Sequence, residues 1–124
     1  DYKALVANLP SKMPARALIL FDFNSARIKP ESYPVLRNYA AALQQLPGAV
    51  VLIAGHTDSK GSDQYNINLS AFRAQAVADF LMQQCQVDME QLNIAGYGKM
   101  YPLASNRTEM GRAINRRVEF IRVQ

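Results

Sequence analysis

Asp58, Asn66 and Arg73 are the residues whose types and spacing point to chemistry. Asp58 sits in Gly55-His56-Thr57-Asp58-Ser59-Lys60-Gly61, a polar loop that follows an apolar, β-branched run. The ends of such strands are where α/β sheets usually seat ligands. Asn66 and Arg73 are seven residues apart in a helical pattern, nearly two turns, so they share a face with Leu69 between them. A carboxylate and a guanidinium side by side near a helix start suit a zwitterionic α-amino-acid centre. Asp58 takes the ammonium, Arg73 offers a bidentate fork to the carboxylate, and free N–H groups at the helix start assist. Asn66 completes the set or caps the helix. Spacing alone does not exclude the plainer arrangement in which Asp58 and Arg73 pair with each other, and favours it.

The elements that must position these residues follow from hydrophobic period. Residues 17–23 are a continuous apolar run, expected as a first strand buried on both faces. A helix over 31–45 follows, its early prolines placed in the first turn and its stripe formed by Val35, Leu36, Tyr39, Leu43 and Leu46; Pro47-Gly48 ends it. Residues 49–54 form a second strand. A long helix over 65–84 carries Leu69, Phe72, Ala76, Val77, Phe80 and Leu81 as its expected packing face. A third strand over 92–97, a helical turn over 108–114 and a last strand over 117–123 complete the chain. The fold class is α/β (α+β): a two-layer sandwich with a mixed four-stranded sheet in β-α-β-α-β-β order and helices packed on one face. Residues 1–16, with Pro10 and Pro14 and no sustained period, are expected as a linker, and 17–124 as one domain.

Composition limits the function classes. The chain has 124 residues, 49% of them hydrophobic, which suits a single domain with a core. Cys85 is the only cysteine, so an internal disulfide and a multi-cysteine zinc site are excluded, and it is expected as a buried thiol. No catalytic residue, metal or cofactor is assigned. The single histidine, His56, has no identifiable nucleophile to serve and is expected to brace the loop. The net charge of +4, with Arg107, Arg112, Arg116, Arg117 and Arg122 near the C-terminus, admits a basic nucleic-acid- or protein-binding module as the alternative. No nucleic-acid reading motif supports it. Neither a signal peptide nor a long apolar span is present, and the chain begins with Asp1; it is expected to be a fragment or mature form anchored by an upstream segment.

Three groups of residues together resemble the OmpA-like peptidoglycan-binding family. They are Ile19 to Pro30 around Phe21-Asp22-Phe23-Asn24; Gly55-His56-Thr57-Asp58 with Tyr65-Asn66, Leu69-Ser70 and Arg73-Ala74; and Gly96-Tyr97-Gly98-Lys99 with Gly111 to Glu119. The resemblance implies noncovalent binding of peptidoglycan through the diaminopimelate residue of the stem peptide, by a periplasmic domain without enzymatic activity. It places the ligand-binding aspartate on Asp58, the arginine on Arg73 and the asparagine on Asn66. Asp22, Thr57 and Leu69 are supporting positions. Arg117 either reaches the pocket or braces the loop, with bracing preferred.

Overall fold

The computed structural model describes residues 18–124; the expected linker, residues 1–16, and Ala17 at the start of the first strand lie outside them. Strand β1 (Leu18–Leu20) leads to helix α1 (Tyr33–Gln44), strand β2 (Val51–Gly55) to helix α2 (Asp63–Cys85), and strand β3 (Leu92–Gly96) to helix α3 (Glu109–Asn115) and strand β4 (Arg117–Arg122). One turn of 3-10 helix, Pro30–Ser32, precedes α1, and Pro34 occupies its first turn, where a missing N–H goes unused. The Ser62 side chain caps α2 by accepting from the Tyr65 N–H, and Gln86 closes it at φ 57 in the left-handed region. Ser62 rather than Asn66 is therefore the cap.

The sheet is four-stranded and mixed, ordered β1-β4-β2-β3. β2 and β3 are parallel, as a helical crossover requires, whereas β4 enters between β1 and β2 antiparallel to both. In register, Ile53 faces Phe120 on one side and Ile94 on the other. β1 is thus an edge strand. Leu20 is 37% exposed, so the expectation of a strand buried on both faces is corrected to burial on one.

Helices α1 and α2 share one core with the sheet. Leu36, Tyr39, Ala40 and Leu43 from α1 meet Ala74, Val77, Ala78 and Leu81 from α2 over Ile19, Val51, Ile53, Val118 and Phe120. Tyr39 and Phe120 stack with centroids 4.0 Å apart, and burial raises the Tyr39 phenol pKa far above its ordinary value. A second, small cluster of Ala54 and Ile121 with Leu52, Tyr97 and Tyr101 includes residues that alternate to the opposite face of the strands.

One member of each expected helix face lies outside the core. Val35 is 41% and Phe72 is 65% exposed, so neither belongs to the core. The buried face of α2 begins instead with Asn66, Ser70 and Arg73. The reason is how closely its backbone approaches the sheet: a Cβ on Gly55 would lie 1.9 Å from the Ser70 carbonyl oxygen, and one on Gly96 2.6 Å from the Ala71 nitrogen. Small and polar residues fit this contact, and a phenylalanine does not. Cys85 is half-buried rather than buried.

Candidate functional site

Where β2 ends, His56, Thr57 and Asp58 remain buried although the strand has stopped. Backbone bonds hold the exit: the His56 N–H donates to the Arg117 carbonyl at 2.8 Å, and the Thr57 N–H to the Gly98 carbonyl at 2.9 Å. Gly98, at φ +60, donates its own N–H to Ser70 Oγ on α2 at 2.9 Å. The loop after β2, the loop after β3 and the N-terminal half of α2 are thereby one rigid corner.

Arg73 lies in that corner, wholly buried. Its guanidinium donates to three carbonyls: Ser25 from Nε at 2.8 Å, His56 from Nη1 at 2.9 Å and Asp22 from Nη2 at 3.0 Å. A guanidinium has five N–H groups, so two remain without a partner among the described residues. Burial pushes the Arg73 pKa down to about 10, opposed by the charge of Asp58, and the group stays cationic at neutral pH. The turn that aims the Asp22 and Ser25 carbonyls at it contains Asn24 at φ 57, a conformation asparagine tolerates better than most residues.

Asp58 is oriented from two sides. Oδ1 accepts from the Lys60 N–H at 3.0 Å, and Oδ2 from Arg116 Nη1 at 3.2 Å. Arg116 in turn bonds Glu109 Oε1 at 2.8 Å and the Phe21 carbonyl at 3.1 Å. Burial acts against its charge, yet the hydrogen bonds to Glu109 and Asp58 hold its pKa above the ordinary value. Asn66 donates to the Lys60 carbonyl at 2.8 Å, fixing the loop. Around these groups is a shallow cleft lined by Phe23, Asn24, Thr57, Asp58, Lys60, Tyr65, Asn66, Leu69, Arg73 and Arg116. It brings a carboxylate, two guanidiniums and an amide to one concavity, donors and acceptors for a small zwitterion. Among the described residues, no cluster of histidine, cysteine and carboxylates could hold a metal ion.

The OmpA family model matches residues 20–116, most of the chain and all of the cleft's lining. The chain belongs to the OmpA family. Among solved structures, this OmpA-family chain is similar to the peptidoglycan-associated lipoprotein from Burkholderia pseudomallei: TM-score 0.84, 30% identity, 95% of this chain and 99% of that one covered. Outer membrane porin F of Pseudomonas aeruginosa is 45% identical over 101 residues, 82% of this chain and 29% of the porin. The peptidoglycan-binding protein ArfA of Mycobacterium tuberculosis is 43% identical over 103 residues, 83% of this chain and 31% of ArfA. The chain thus spans less than a third of either protein's length.

Five of the seven positions singled out in the sequence, Thr57, Asp58, Asn66, Leu69 and Arg73, line the cleft of this OmpA-family domain. Asp58 and Arg73 do not pair with each other: Asp58 takes Arg116, and Arg73 takes carbonyls. Asp22 is placed differently from the expectation. Its side chain is 74% exposed beside Lys29, and only its carbonyl reaches the site. Arg117 lies off the cleft, bonding Glu119, the Asn115 carbonyl and the Tyr101 carbonyl. It braces the fold. Arg116 is the arginine that sequence reasoning missed. Strand alternation was the available signal, since two successive residues entering a strand point to opposite faces and only one of Arg116 and Arg117 can face the cleft. Phe23, Asn24, Lys60 and Tyr65 were also missed, being rim and turn residues without a periodic signature. His56 is buried beside Tyr97, with Nε2 3.9 Å from Glu119, and it supports the site through its carbonyl.

Proposed function

We propose that this domain binds peptidoglycan noncovalently through the free amino-acid end of diaminopimelate, and so anchors an envelope protein to the cell wall from the periplasm. The observation that carries the reading is the convergence of Asp58 and Arg73 on one cleft without pairing with each other. Each is held by other groups, so both remain oriented toward a ligand. Asp58 receives the ammonium, the two unused N–H groups of Arg73 receive the carboxylate, and Asn66 keeps the loop in place. Arg116 holds the Asp58 carboxylate in position. The names of ArfA and the peptidoglycan-associated lipoprotein agree with this reading.

The role is binding rather than catalysis. His56 does not line the cleft, so it is not placed as a general base. The basic C-terminal segment that suggested nucleic acid is largely neutralised internally, with Arg112, Arg116 and Arg117 in ion pairs to Glu109, Asp58 and Glu119. Among the described residues no helix is long and apolar enough to cross a membrane, so in this reading a segment outside them, or a partner, supplies the membrane attachment.

Co-sedimentation with purified diaminopimelate-type sacculi tests the proposal. Asp58→Asn keeps the side chain's shape and removes its charge, and is expected to abolish retention while leaving the circular dichroism spectrum unchanged. Normal retention of this variant would refute the assigned site.

A further inference from the structure

Lys60 is a cation held in place at the mouth of the cleft. Its N–H is bound by Asp58 Oδ1 at 3.0 Å and its carbonyl by the Asn66 side chain at 2.8 Å, so the two groups that shape the site also fix the lysine's backbone. Its ammonium lies 5.7 Å from the centroid of the Phe23 ring, and that ring is 58% exposed. Lys29 and Lys99 each meet a carboxylate, Asp22 at 3.3 Å and Asp63 at 3.2 Å. Among the described residues, no carboxylate lies within ion-pair distance of Lys60. An aromatic face steadies an ammonium without neutralising it, so the charge stays available to an anion.

We infer that Lys60, set on Phe23, recognises a second carboxylate of the ligand, one residue along from the amino-acid centre held by Asp58 and Arg73. This rests on the diaminopimelate reading above. In a stem peptide the residue before diaminopimelate is a glutamate linked through its side-chain carboxyl, which leaves its α-carboxylate free. That group lies one residue before the pocketed centre whatever the length of the stem after it. In some cell walls it is amidated, and the charge is lost. Lys60 therefore makes the domain selective for the unamidated stem, and Phe23 makes the selection efficient by holding the ammonium before the ligand arrives.

Calorimetry with two soluble muropeptides, identical except for a free or amidated α-carboxylate on that glutamate, tests the inference. The unaltered chain is expected to bind the free form roughly two- to fivefold more tightly, the range for an ion pair open to solvent. Lys60→Gln should bind both forms alike, at the affinity the unaltered chain shows for the amidated one. Phe23→Leu should fall between. Equal binding of both forms by the unaltered chain, selectivity that survives Lys60→Gln, or an equal loss for both forms in that variant would overturn the role of Lys60 while leaving the pocket assignment standing. Binding of neither form by the unaltered chain would overturn both.

Discussion

Removing the Arg73 side chain would leave the carbonyls of Asp22, Ser25 and His56 without the donors they now share, inside a corner from which water is largely excluded. Each unmade bond of this kind costs about 1 to 3 kcal/mol. Arg73→Ala is therefore expected to lower stability by about 3 kcal/mol or more in denaturant unfolding, so loss of wall binding by that variant alone says little about the ligand. Arg73→Lys keeps the charge without the planar fork, and should lose retention with a smaller loss of stability. Stability equal to that of the unaltered chain in Arg73→Ala would show that the three carbonyls do not depend on it. Glu109 is perturbed in a different way. Hydrogen bonding from Arg116 holds its carboxyl below the ordinary value, with partial desolvation acting against the shift. A depressed carboxylate pKa stabilises the fold above the unfolded-state value, and that contribution is lost as pH falls through the folded-state value. Glu109→Gln should flatten the acid side of the profile of melting temperature against pH; an unchanged slope there would remove Glu109 from the account.

At the scale of elements, the position of α2 sets the geometry of the site. Its N-terminal half rides directly on Gly55 and Gly96, which brings Asn66 and Arg73 to the strand ends. Gly96→Ala would put a methyl group into the α2 backbone, and is expected to cost about 1 to 3 kcal/mol while shifting the helix enough to weaken wall retention. Thermal unfolding and co-sedimentation measure the two effects; unchanged values in both would show that this contact does not position the site. The same contact explains what hydrophobic spacing missed in α2. Periodicity found the helix and its length, because Val77 and Leu81 repeat as a core face should. It could not find that the first turns are packed by Asn66, Ser70 and Arg73, since buried polar residues carry no hydrophobic signal and look solvent-facing. Phe72 drew the expected face the other way and lies in solvent instead.

For the whole molecule, β4 shows most clearly what is and is not written locally. Its existence over 117–123 was legible in the sequence, but its insertion between β1 and β2 depends on pairing between residues far apart in the chain, as in Ile19 with Val118 and Ile53 with Phe120. That insertion carries Arg116 across the molecule to Asp58. Only the third dimension brings them together. Asp58, Asn66 and Arg73, by contrast, lie on one strand exit and the helix after it, so spacing could bring them together, although only the family resemblance favoured a ligand site over a mutual ion pair. The molecule so built offers a few charge-assisted bonds of about 1.5 to 3 kcal/mol each, against an association cost of about 4 kcal/mol or more. On the proposed function, one stem peptide is expected to bind weakly, roughly micromolar to millimolar, with firm attachment coming from a polymer that presents many sites. Calorimetry on soluble muropeptides differing only in the third stem residue tests this most directly. Diaminopimelate carries a carboxylate beside its far amine, and lysine carries the amine alone. Weak, saturable binding of the diaminopimelate form and none of the lysine form is expected; equal binding of the two would contradict the proposed ligand.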